Sequence, residues 1–66
     1  MYKKIEYKEL YISNGDTLWD IAKLEQQNNS YYKGKDVREI IYDLKKINNL
    51  SSSDLKINQK LLIPNM

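Results

Sequence analysis

The stretch Asn14-Gly15-Asp16-Thr17-Leu18-Trp19-Asp20-Ile21-Ala22 is where the chain changes its hydrophobic rhythm. Before it, Leu10 and Ile12 alternate with Glu9, Tyr11 and Ser13, the period of a half-buried strand. After it, Leu18, Ile21 and Ala22 fall at i, i+3 and i+4, one face of a helix. A strand therefore turns abruptly into a helix. Gly15 can take the positive φ that such a corner often needs, Asn14 tolerates it, and Thr17 followed three residues later by Asp20 reads as a capping box.

Working outward, Ile5 and Tyr7 lie on odd positions whereas Leu10 and Ile12 lie on even ones, so a single strand cannot bury all four on one face. The regular strand is expected to begin near Lys8, with residues 1–9 serving as a lead-in or linker and residues 10–66 as one domain. The first helix is expected to run from Thr17 to about Gln27, with Leu18, Ile21, Ala22 and Leu24 inward and Asp20, Lys23, Glu25 and Gln26 outward. The polar run Gln26 to Ser30, then Tyr31, Tyr32 and Gly34, reads as a loop in which one tyrosine folds back over the core edge.

Asp36 with Glu39 three residues on opens a second helix, whose stripe is Val37, Ile40, Ile41, Leu44 and Ile47. Lys45 and Lys46 favour the negative end of that helix, and Asn48-Asn49 can terminate it in a left-handed conformation. After the polar Ser51 to Asp54, Leu61 and Ile63 alternate into a second strand, which Asn58 precedes as a tight turn and Pro64 ends. The order is strand, helix, helix, strand. Two strands alone make a marginal ribbon, so they must pair, antiparallel, with both helices on one face: an α+β fold with a single small core.

Composition narrows the chemistry. The 66 residues are 41% apolar, with a mean hydropathy of −0.75, two glycines and one proline, which fits a folded soluble domain. Cysteine and histidine are both absent, which excludes thiolate nucleophiles, disulfides, Cys/His zinc sites and imidazole acid-base work; no metal or cofactor is expected. Met1 to Tyr7 has two lysines and no apolar core of an export signal, and no apolar run approaches membrane-spanning length. The net charge of +2, from 11 basic and 9 acidic residues, is far from the footprint of a nucleic-acid binder.

Three blocks carry a resemblance. Gly15-Asp16-Thr17-Leu18-Trp19-Asp20-Ile21-Ala22, Leu44-Lys45-Lys46-Ile47-Asn48-Asn49-Leu50 and Asn58-Gln59-Lys60-Leu61-Leu62-Ile63-Pro64 stand in the order of the opening, middle and closing signatures of LysM domains. The chain resembles that family from about Leu10 to Pro64. Asn58 stands where the family usually has Gly, and Lys56-Ile57 where many members have an aromatic-proline pair. The resemblance implies a βααβ fold, no catalysis, and a module that recognises glycans containing N-acetylglucosamine, peptidoglycan or chitin-like oligomers, as a cell-wall anchor. It also implies a groove between the strand-to-helix loop and the helix-to-strand loop. Carried onto this sequence, the glycan-binding residues are Gly15, Asp16, Thr17 and Leu18 on one side, and Asn49, Leu50, Ser53, Asp54, Leu55 and Ile57 on the other.

Each has a structural reading too: Thr17 as a cap, Gly15 and Asn49 as conformational residues, Leu18 as core, Trp19 as packing against a strand or the second helix. Three rivals are weighed. A two-carboxylate hydrolase would need an acid in a desolvated cleft, and Asp20, Glu25, Glu39 and Asp43 fall on outward helix positions. Nucleic-acid binding would need the cations gathered on one face, and here acids are interspersed among them. A protein-interaction module with this fold and no sugar affinity is the main alternative.

Overall fold

The computed structural model describes residues 5–52 and 54–65. In chain order the elements are strand β1 (Glu6–Tyr11), helix α1 (Leu18–Asn28), helix α2 (Val37–Ile47) and strand β2 (Lys60–Asn65). The strands pair antiparallel in the register Glu6↔Asn65 through Leu10↔Leu61 to Tyr11↔Lys60. Lys8, Leu10, Leu61 and Ile63 share the inner face. Leu61 and Ile63 there meet Leu18, Ile21 and Ala22 of α1, Ile40 and Leu44 of α2, and Ile12 and Tyr32 from the loops, to form the core. This is the βααβ arrangement expected from the sequence.

β1 begins at Glu6, not near Lys8, so residues 6–9 of the expected lead-in are ladder residues. The parity conflict is resolved by leaving Ile5 and Tyr7 outside, 40% and 50% exposed, a cost a small sheet readily bears because apolar side chains at the surface are ordinary. β2 likewise runs through Pro64 rather than ending at it. The Leu62 N–H donates to Asn48 Oδ1 at 2.7 Å and the Leu62 carbonyl accepts from Asn48 Nδ2 at 2.9 Å, so both groups face the sheet's free edge. Two residues on, Pro64 presents its backbone to that same edge, and its missing N–H costs no ladder bond.

Thr17 caps α1, its Oγ1 accepting from the Asp20 N–H at 3.1 Å, and Asp36 caps α2, its carboxylate accepting from the Arg38 N–H at 2.9 Å. The α1 stripe departs from expectation at its end. Leu24 is 56% exposed, whereas Glu25 and Asn29 are buried. Positions 18, 21, 22, 25 and 29 are i, i+3, i+4, i+7 and i+11, so the helical period continued and residue type misled. Lys8 Nζ lies 2.8 Å from Glu25 Oε1, and Asn29 Nδ2 donates both to that oxygen at 2.9 Å and to the Pro64 carbonyl at 2.8 Å.

Between the helices, Tyr32 is the tyrosine that turns inward, fully buried, and its hydroxyl donates to Asp43 Oδ2 at 2.6 Å. Burial first, then the adjacent Asp43 carboxylate, pushes the Tyr32 phenol well above the ordinary tyrosine range. A group whose pKa is raised in the folded state contributes its stability below the unfolded value, about 10, and loses it as pH rises toward the folded value. The urea midpoint is therefore expected to fall as pH climbs past about 10. Tyr32→Phe should flatten that fall whereas Tyr7→Phe, at an exposed position, should leave it in place; equal slopes in both variants would refute the assignment.

Candidate functional site

Antiparallel strands put the end of β1 beside the start of β2, so the β1–α1 turn and the α2–β2 loop emerge at the same end of the molecule. A backbone clamp joins them. The Ile12 N–H donates to the Gln59 carbonyl at 3.0 Å, and the Asn58 N–H to the Ile12 carbonyl at 2.7 Å. The loop closes on itself next to this clamp, with the Lys56 N–H on Gln59 Oε1 at 2.9 Å and the Gln59 N–H on the Lys56 carbonyl at 3.0 Å. Asn58 carries the corner at φ 69°, a left-handed conformation that Asn adopts more readily than most residues, which explains how it stands in for Gly.

On the β1–α1 side, Gly15 sits at φ +91° with open space around it, so conformation and not crowding asks for glycine. Asp16 is exposed but occupied: its carboxylate accepts the Ser13 N–H at 2.8 Å and its own N–H donates to the Ser13 carbonyl at 3.1 Å. Thr17 is exposed and holds the cap. Leu18 is 2% exposed and belongs to the core, so its side chain presents almost no surface to a ligand. Trp19, expected to pack inward, is instead 49% exposed beside this turn.

On the other side, α2 ends in a Schellman motif. The Leu50 N–H donates to the Lys45 carbonyl at 2.8 Å and the Asn49 N–H to that of Lys46 at 3.3 Å, with Asn49 at φ 54°. This motif swings the chain so that Asn49, Leu50 and Asp54 line one depression together with Ser51, Ser52, Lys56 and Gln59. Leu55 is half-buried against the core and Ile57 is 60% exposed. Ser53 lies outside the described residues. The structure thus gathers Asn49, Leu50 and Asp54 into one wall, leaves Gly15, Asp16 and Thr17 on the clamped turn, and withdraws Leu18. Ser51, Ser52 and Lys56, within the helix-to-strand loop expected to border the groove but not singled out as contacts, line this surface too, and Gln59 joins it from beyond that loop.

The LysM domain model matches residues 11–24 and 41–64, the two segments that build the clamp, the turn and the loop. The chain belongs to the LysM family. No curated protein and no solved structure matches it. LysM domains are generally peptidoglycan- or chitin-binding modules without catalytic activity, and they typically occur in extracellular or cell-wall proteins. The interval between the two matched segments, 25–40, holds Glu25, Asn29 and Tyr32, which are buried away from the clamped end. Among the described residues no three acidic side chains gather as a metal site, and no helix is long and apolar enough to cross a membrane.

Proposed function

We propose that this LysM domain is a non-catalytic carbohydrate-binding module that holds N-acetylglucosamine-containing glycan, bacterial peptidoglycan above all, as a cell-wall anchor. The supporting observation is the clamp between Ile12 and Asn58-Gln59, which carries the turn and the loop to one end, beside the depression at Asn49, Leu50 and Asp54. An amino sugar offers hydroxyls, an acetamido donor and acceptor, and a methyl group. Recognition calls for a shallow trough with fixed polar groups and some apolar surface. Asp54, Ser51, Ser52 and the exposed backbone of Gly15 to Thr17 supply the former, and Leu50, Leu55 and Ile57 the latter. Leu18 acts through its backbone and through the core beneath the turn.

A shallow site that buries few apolar groups binds weakly as a single copy, so retention on a wall comes from repeated contacts acting through effective concentration. Titration with N-acetylglucosamine oligomers, followed by amide NMR shifts and by the emission of Trp19, is expected to give a Kd of roughly 10 μM to 1 mM. The shifts should cluster at residues 15–18 and 49–57. Movement confined to the outer helix surfaces would refute the site. Failure of insoluble peptidoglycan and chitin to retain the protein would refute sugar binding and favour a protein partner at the exposed Ile57.

A further inference from the structure

The depression at Asn49, Leu50 and Asp54 does not end there. Asn49, Leu50 and Ser51 also line a second hollow, whose other walls are Tyr42, Lys45 and Lys46 on α2. The two hollows therefore form one trough that runs from the α2–β2 loop onto the last turns of α2. Tyr42 is 67% exposed at its far end, with Lys46 Nζ 5.7 Å from the ring centroid. Among the described residues the ion pairs are Lys8 with Glu25 and Lys60 with Glu9, so neither Lys45 nor Lys46 is held in an ion pair. The nearest acid of the same helix, Asp43, points to the Tyr32 hydroxyl and forms no ion pair with either lysine.

A helix C-terminus favours cations by itself, but that accounts for a basic last turn and not for an exposed aromatic ring beside it in a trough shared with the glycan site. We infer that Tyr42, Lys45 and Lys46 form an acidic-group subsite that takes the carboxylate-bearing peptide side chain of a peptidoglycan strand whose sugars lie along Asn49 to Asp54. The inference rests on the glycan-binding reading above. The tyrosine ring offers an apolar face to a sugar or peptide stem, and the ammonium groups take the carboxylate in charge-assisted contacts. Chitin, which is uncharged, gains nothing there, so the subsite selects peptidoglycan.

The test compares an N-acetylglucosamine tetramer with a peptidoglycan fragment of equal sugar number carrying its stem peptides, both titrated into the protein by calorimetry. At low salt the fragment is expected to bind roughly threefold to tenfold tighter, the effect of one or two exposed ion pairs, and the gap should close by about 0.5 M salt. Lys45→Gln/Lys46→Gln is expected to abolish the gap while leaving tetramer affinity unchanged, and Lys45→Glu/Lys46→Glu to turn it into a preference for the tetramer. Equal affinity of the two ligands in the unaltered protein, or a gap that survives in the double variant, overturns the subsite alone. If neither ligand binds, the glycan-binding reading falls and the subsite with it.

Discussion

Leu44→Ala is expected to leave the protein without a cooperative thermal transition. Leu44 is fully buried on α2, in the cluster that also holds Tyr32, Ile40, Leu61 and Ile63. Truncating a buried leucine costs about 2–5 kcal/mol, through lost transfer energy and the cavity left behind. A single core in a chain of 66 residues supplies only about 3–5 kcal/mol in total, so the substitution removes most or all of the margin. Ile47→Ala, on the same helix, is the control. Ile47 is half-buried, so its loss is expected to cost roughly 1–2 kcal/mol and to lower Tm by about 10 °C while the transition stays cooperative. Leu44→Met, which keeps the volume, should fold. Circular dichroism melts of the three variants decide the matter: a cooperative Leu44→Ala transition near that of the unaltered protein would show that the core relaxes around the gap.

The difference between Leu44 and Ile47 also marks where sequence reading stops. Periodicity put both on one stripe with Val37, Ile40 and Ile41, and the stripe is real, but only Ile40 and Leu44 are fully covered. Depth of burial depends on what lies opposite, and a two-stranded sheet is too narrow to cover the whole face of an 11-residue helix. Signals contained within a few residues were legible: the Thr17 and Asp36 caps, the left-handed Asn49 and Asn58, and the Gly15 corner. Each is decided by local backbone chemistry.

The same limit applies to the site. That the turn after β1 and the loop before β2 meet follows from antiparallel pairing, and pairing was legible because a chain with two strands alone must pair them to make a core. Which side chains face outward there was not. Leu18 reads as core more readily than as contact, which the structure bears out, whereas Trp19 reads as packing and is instead half-exposed, because its place depends on the neighbours of α1. Tyr42 and Lys46 come next to Asn49 and Leu50 because a helical turn separates them and a Schellman reversal brings the chain back, a consequence of three-dimensional path that no spacing within one element records.

Asn29→Ala carries the second large effect, and it falls on a residue whose sequence context reads only as a polar loop. Its amide joins three partners: Nδ2 donates to Glu25 Oε1 and to the Pro64 carbonyl, and Oδ1 accepts the Tyr31 N–H at 3.0 Å. The Pro64 contact spans 35 positions in sequence, which is why nothing near Asn29 announces it. Removing the amide leaves the Pro64 carbonyl and the Tyr31 N–H without this partner and takes one donor from the Glu25 carboxylate, which keeps its ion pair with Lys8, at an expected cost of about 2–3 kcal/mol. Glu25→Ala should cost less, because Lys8, whose side chain is 44% exposed, can turn to water. The double variant is then the informative one. With Glu25 gone, Asn29 no longer has a buried carboxylate to satisfy, so the combined loss is expected to be smaller than the sum by roughly 1 kcal/mol. Urea unfolding of the two single variants and the double variant measures this directly; strict additivity would mean that the two side chains stabilise the fold independently and that Asn29 matters only for fastening α1 to β2.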